Sequence, residues 1–111
     1  MVRFSSEPAM EPLTTSQRTK LRGLAHSLKP VVWLGKQGLS DGAVREVEAA
    51  LLAHELIKVQ GSGSREERQA NARELADRVG AEMLAQIGRT VVLYRRHPDP
   101  EKRSIDLETD D

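Results

Sequence analysis

Residues 30–39 read Pro-Val-Val-Trp-Leu-Gly-Lys-Gln-Gly-Leu, and this stretch decides how the chain folds. Four consecutive apolar residues, from Val31 to Leu34, are typical of a buried strand. We expect this strand to be central in its sheet or covered on both faces. Gly35 and Gly38 then bracket a turn, and Ser40 can cap a helix. The stretch therefore predicts a strand, a glycine turn and a helix start in succession.

The glycine turn, residues 35–38, has the composition of a phosphate-holding loop. Its two glycines permit positive φ and close backbone approach, Lys36 supplies a charge, and the next helix begins with unpaired N–H groups. The G-x-x-G spacing alone is weakly specific, because many loops contain two glycines. Trp33 is expected in the core rather than on the surface as a stacking platform for a base, because its neighbours are apolar.

The segments around this stretch complete an α/β pattern. A capping box of Thr14 and Gln17 begins the first helix, and Pro30 ends it. The predicted elements are, in order, that helix, strand 31–34, a helix from Ser40 to about His54, strand 56–59, helix 65–79, and strands 83–87 and 91–95 joined around Gly88-Arg89. This order, α-β-α-β-α-β-β, predicts a two-layer α/β fold with a four-stranded mixed sheet.

A chain of 111 residues is long enough for one modest core. Residues 1–12 lack an apolar period and predict a flexible leader. Residues 13–96 form the folded domain, and residues 97–111 predict an acidic, disordered tail.

The net charge of zero hides an asymmetry along the chain. Residues 16–38 contain five basic residues and no acidic one, whereas the tail contains six acids and two basic residues. Without the tail, 15 basic and 11 acidic residues remain. The local charge of the first third of the chain therefore favours an anionic partner.

A basic stripe follows the first predicted helix. Arg18, Arg22 and His26 recur every four residues, and Lys29 falls on the same side. The stripe is expected to run toward the glycine turn. A solvated face and a binding face are about equally compatible with the charge pattern alone, but the absence of acids at these positions favours binding.

Other chemistries find little support in the composition. The sequence has no cysteine, which excludes disulfides and thiolate metal ligands, and its three histidines lie in separate elements without metal-ligand spacing. For Glu55, beside His54, a structural hydrogen bond is preferred over acid–base catalysis. No window is apolar enough for a membrane span. We expect a cytoplasmic, monomeric, non-enzymatic protein without a metal site.

A polymer of phosphates fits the glycine turn better than a free nucleotide does. The turn is not G-x-G-x-x-G, and it lacks the trailing Lys-Ser/Thr of a P-loop. The G-x-x-G loop of KH domains clamps RNA backbone in a comparable way. A protein-interaction module and a small nucleotide-binding domain remain the alternatives.

Several motifs taken together carry a family resemblance. They are residues 21–26, 28–32, 35–39, 54–59 and 93–95, which read LRGLAH, LKPVV, GKQGL, HELIKV and LYR. As an ordered set they resemble the CRM domain, the chloroplast RNA splicing and ribosome maturation family, in its single-domain bacterial YhbY-like branch. The sequence departs from the family in three places: at Trp33, where the family usually has an aliphatic residue, at Gln60-Gly61, and in the acidic tail.

The resemblance implies a fold similar to the C-terminal domain of translation initiation factor three. It also implies binding to ribosomal RNA of the large-subunit precursor, with no cofactor. The family's G-x-x-G loop falls on the glycine turn, and its basic helix and turn fall on Arg22, His26 and Lys29. With the rest of the basic stripe and the hairpin, the predicted RNA-binding residues are Arg18, Arg22, His26, Lys29, Gly35, Lys36, Gln37, Gly38, Arg89 and Arg95.

Overall fold

A computed structural model describes residues 12–107. The elements are helix α1 (Thr15–Ala25), strand β1 (Pro30–Trp33), helix α2 (Asp41–His54), strand β2 (Leu56–Gln60), helix α3 (Arg65–Val79), strand β3 (Glu82–Ile87), strand β4 (Thr90–Tyr94) and a 3-10 helix (Pro100–Lys102). The predicted leader lies outside the described residues apart from Pro12. None of the described helices is long and apolar enough to cross a membrane.

The local signals for the helix starts are confirmed, whereas α1 ends at Ala25, before the stop that Pro30 predicts for it. Thr14 and Gln17 exchange the two hydrogen bonds of a capping box at the start of α1, and the Ser40 hydroxyl accepts from the third backbone N–H of α2. Gly80 ends α3 in the left-handed conformation with φ 65°. These ends are set by neighbouring residues, which is why sequence alone locates them.

The four strands form one mixed sheet in the order β1-β2-β4-β3. β1 pairs in parallel with β2, while β4 pairs antiparallel with both β2 and β3. The predicted α/β class and mixed four-stranded sheet are confirmed. The expectation of a central or fully covered first strand is wrong, because β1 is an edge strand in which Val31 and Trp33 are exposed.

Helices cover both faces of the sheet, so the domain has three layers rather than the predicted two. On one face, α2 and α3 enclose a core that includes Val32, Leu51, Ile57, Leu75 and Leu93. On the other, α1 packs on a second cluster formed by Leu21, Ala25, Leu56, Leu84, Val92, Tyr94 and Leu107. Consecutive residues of β2 and β4 point into opposite clusters, as the alternation of strands requires. The sheet is therefore the middle layer.

The described part of the tail differs from the disorder predicted for it. Leu107 is buried beneath α1, and the segment before it is held by Glu55. The buried Glu55 carboxylate accepts hydrogen bonds from the backbone N–H groups of His97, Ser104 and Ile105 at 2.7, 2.8 and 3.0 Å. The hydrogen-bonding role preferred for Glu55 is thus confirmed. This segment has no apolar period that would predict a folded structure. The hydrogen bonds to the Glu55 carboxylate hold it in place instead.

Tyr94, the only tyrosine, is buried in the cluster beneath α1, and its hydroxyl lacks a hydrogen-bond partner among the described residues. Burial raises the pKa of Tyr94 above 10.0, and the negative charge of Glu55 raises it further. Deprotonation is therefore harder in the folded state than in the unfolded state. The stability that depends on neutral Tyr94 is complete below pH 10.0 and is lost as the pH rises through the raised pKa.

Tyr94→Phe should leave the free energy of unfolding at neutral pH unchanged or raised by up to about 1 kcal/mol, because it removes only an unbonded buried hydroxyl. Between about pH 9 and pH 11 the variant should lose less stability than the parent. Denaturant titrations across this range measure both effects. Parallel loss of stability in parent and variant would show that Tyr94 is not the group responsible.

Candidate nucleic-acid interface

The glycine turn projects from the end of the sheet where β1 and β2 terminate. The Gly38 N–H donates to the Gly35 carbonyl at 2.9 Å, and Gly38 adopts φ 74°, which a side chain would strain. A Cβ atom on Gly38 would also lie 2.8 Å from the Asn71 amide nitrogen. Lys36 and Gln37 are exposed at the tip of the turn. The turn is thus closed on itself and presents a cation and an amide to solvent.

Three loops are tied together at this end of the sheet. The Ser62 hydroxyl donates to the Gly35 carbonyl at 2.6 Å, which joins the β2–α3 loop to the glycine turn. The Gly61 N–H donates to the Arg89 carbonyl at 2.7 Å, which joins that loop to the β3–β4 hairpin. Arg89, which lies more than fifty positions from Lys36 in the sequence, is therefore brought to the same end of the sheet. We call these three loops, with Lys36 and Arg89, the loop surface.

Two helices begin beside the loop surface. Because β1 and β2 are parallel, α2 and α3 both start at the carboxyl ends of these strands. The positive ends of two helix dipoles therefore face the same side of the molecule. Asp41 in the first turn of α2 pairs with Arg78 at 3.2 Å, and Glu67 in the first turn of α3 accepts from the Ser64 N–H.

Ser62 and Arg68 were missed by the sequence prediction. Arg68 donates to the Gly63 carbonyl at 2.8 Å, and its aliphatic part packs against Gly61. Both residues hold the β2–α3 loop in place beside the glycine turn. The signal that could have found them is the predicted strand–helix–strand order of β1, α2 and β2, because such a connection joins parallel strands and the loops that follow neighbouring parallel strands meet at one edge of the sheet.

The basic stripe of α1 does not run toward the glycine turn. Residues 26–29 lead from α1 into the start of β1, whereas the glycine turn follows β1, so the length of the strand, roughly 13 Å, separates the end of the stripe from the turn. Arg18 forms an ion pair with Glu82, and Arg22 donates to the Leu84 carbonyl at 3.2 Å. These two arginines attach α1 to β3. The predicted direction of the stripe is wrong because the helix crosses the sheet at its other end.

His26 and Lys29 are exposed beyond the end of α1. Lys29 lines a groove of about 770 Å³ between the end of α1, the start of β1 and the tail. Leu24, Leu28 and Val31 supply part of its apolar wall. The structure therefore places these two predicted residues apart from the loop surface.

Arg95 lies at the opposite end of the sheet from the glycine turn, because β4 runs antiparallel to β2. Its guanidinium donates to the Glu48 carboxylate and to the Val79 carbonyl, both at 2.8 Å. The side chain is 17% exposed. Arg95 therefore connects α2 to the end of α3. It lies at the other end of the sheet from Arg89.

Trp33 is not in the core. It is 60% exposed, on the face of β1 opposite the buried Val32 and Leu34. The expectation of a core tryptophan is wrong because β1 is at the edge of the sheet and α1 packs on β2, β3 and β4. Trp33 directly precedes Leu34 and the glycine turn, so it lies beside the loop surface.

The described residues include no group of three histidine, cysteine, aspartate or glutamate side chains arranged to hold a metal ion. A family model described as the CRS1 / YhbY (CRM) domain matches residues 13–95.

The chain belongs to this family.

Relatives of this CRM domain share most of its length. An RNA-binding protein of Haemophilus influenzae is 45% identical over 87 residues, which cover 78% of this chain and 88% of the relative. The "Probable RNA-binding protein YqeI" of Bacillus subtilis is 36% identical over 96 residues, with 86% of this chain and 98% of the relative covered. The solution structure of the hypothetical protein SAV1595 of Staphylococcus aureus superposes with a TM-score of 0.71 at 27% identity, over 86% of this chain and all of that one. The CRM resemblance of the sequence is thereby confirmed.

Proposed function

We propose that this protein binds RNA and that the loop surface contacts the phosphate backbone. The observation that carries the proposal is the joining of three loops, which brings exposed Lys36 and Arg89 together at one end of the sheet. Among residues 12–107 neither cation pairs with an acid. Backbone amides, helix N-termini and free cations are the groups that hold phosphate. Relatives named as RNA-binding proteins support the same assignment.

The RNA is proposed to be ribosomal RNA of the large-subunit precursor, with the protein acting as an assembly factor in the cytoplasm. This part rests on the resemblance to the YhbY-like branch of the family. The proposed protein is a monomer that binds without catalysis or cofactor. His26 and Lys29 form a second basic region at the far end of β1, which a folded RNA longer than the strand could reach.

Charge reversal at the loop surface tests the proposal. Lys36→Glu and Arg89→Glu should each weaken binding to ribosomal RNA fragments and reduce the magnitude of the negative slope of log affinity against log salt by about 0.7 to 0.9. Lys102→Glu is the matched control, because Lys102 is exposed in the 3-10 helix near the Glu55 end of the sheet and the change in net charge is identical. Affinities measured between low and high salt give the slopes. If all three variants lowered the slope equally, general electrostatics rather than the loop surface would bind the RNA.

The groove beside Lys29 is the observation that favours the alternative of a protein-interaction module. A purified protein that binds RNA should carry nucleic acid, seen as excess absorbance at 260 nm that disappears at high salt. A protein-interaction module would lack this absorbance. A small nucleotide-binding domain would instead show thermal stabilisation by a mononucleotide.

A further inference from the structure

One row of the sheet remains uncovered beside the loop surface. Trp33 pairs with Gln60, Gln60 pairs with Thr90, and Thr90 pairs with Ile87, so each strand contributes one residue. Directly paired residues point to the same face, which here is the face that α1 covers elsewhere. The neighbouring residue Val92 is buried under α1, whereas Trp33 and Ile87 are 60% and 70% exposed. We call these four residues the open row.

We propose that Trp33 stacks an unpaired RNA base while the adjacent loop surface holds its phosphate. The inference rests on the proposed function and adds to it the kind of RNA that is recognised, a single-stranded or looped-out segment. An indole ring offers a broad π-face on which any base can stack. A fully paired duplex keeps its bases stacked on each other and offers none of them to Trp33.

The position of Trp33 fits a base rather than a structural partner. Burying the indole in the core would have removed a large apolar surface from water, yet the fold leaves it exposed at the sheet edge. Three residue steps lead from Trp33 to Lys36, so their Cα atoms lie at most about 11 Å apart, which lets the two side chains contact a base and its own phosphate. Gln60, next in the open row, carries both a donor and an acceptor for a base edge.

Ile87 distinguishes a stacked base from a general apolar contact. It lies at the opposite edge of the sheet, three strand spacings or roughly 14 Å from Trp33. One base cannot cover both side chains. A protein partner seated on the open row would contact both, whereas a base on Trp33 leaves Ile87 in solvent.

The test compares a single-stranded RNA of about 12 nucleotides with a duplex of the same length. Trp33→Ala should weaken single-strand binding by about 5- to 150-fold and leave duplex binding unchanged, and Trp33→Phe should lose less. Ile87→Ala is the control and should bind both RNAs like the parent. Because Trp33 is the only tryptophan, its fluorescence in the parent should be quenched by the single strand and not by the duplex.

Three results would overturn the stacking site. Trp33→Ala could bind the single strand as tightly as the parent while Lys36→Glu weakens binding, which would leave the proposed function intact. Equal losses in Trp33→Ala and Ile87→Ala would instead indicate a broad apolar surface for a protein. If the parent bound neither RNA, the proposed function would fail together with the inference.

Discussion

Replacing Glu55 by alanine is expected to lower the free energy of unfolding by about 3 to 5 kcal/mol. Glu55 is 1% exposed, and its carboxylate accepts hydrogen bonds from three backbone N–H groups of the tail and from the Ser104 hydroxyl at 3.3 Å. Alanine leaves these donors in a buried site without an acceptor. The tail should then detach and expose the cluster that contains Leu107 and Tyr94. Denaturant unfolding measures the stability, and limited proteolysis measures the release of the tail.

Two further substitutions separate the causes of the loss. Glu55→Gln retains one oxygen acceptor, so it can keep the bonds to Ser104 and Ile105 and should lose less stability than alanine. His54→Ala is the control, because His54 is exposed and precedes Glu55 directly. Unchanged proteolysis of the tail in Glu55→Ala would mean that apolar packing of Leu107 alone holds the segment.

Gly38→Ala is expected to destabilise the fold by about 2 to 3 kcal/mol and to remove RNA binding with it. Gly38 has φ 74°, and a Cβ atom there would come within 2.8 Å of the Asn71 amide nitrogen. Both effects push the glycine turn out of the shape in which Gly38 bonds to Gly35. The midpoint temperature of thermal unfolding and the affinity for RNA should fall together.

The same turn contains its own control for that substitution. A Cβ atom on Gly35 would meet nothing within 4 Å, and Gly35 has no positive φ. Gly35→Ala should therefore fold like the parent. Adding Asn71→Ala to Gly38→Ala should recover the part of the loss that comes from the close contact, while the part caused by the backbone conformation remains. A Gly38→Ala protein as stable as Gly35→Ala would contradict both causes.

The features that sequence predicts correctly are those written in adjacent residues. The capping box at Thr14, the end of the third helix at residue 79 and the turn at Gly88 each depend on a few neighbours, and the last two also on backbone conformations that glycine adopts readily. The strand–turn–helix succession from Pro30 onward is of the same kind. Such signals locate the helices and strands. The strand–helix–strand order also implies parallel pairing of β1 and β2, which identifies the end of the sheet where the glycine turn lies.

The features that sequence does not predict depend on contacts between distant segments. The run of apolar residues before Gly35 is equally compatible with a central and an edge strand, and only the sheet order exposes Trp33. Arg95 carries the same charge as Arg89, yet Glu48 binds one of them at the other end of the sheet. The tail is held by one carboxylate, and a single acidic residue in a sequence does not reveal which backbone N–H groups will donate hydrogen bonds to it.

The open row has a consequence for what a short fragment of this protein could reproduce. Its four residues come one from each strand, so they are neighbours only when the pairing of the whole sheet is in register. A shift of one residue in any strand would turn that strand's member of the row toward the opposite face. The row is discontinuous in the sequence: no short peptide cut from the chain contains it, whereas a peptide spanning residues 33–38 still contains Trp33 and the whole glycine turn.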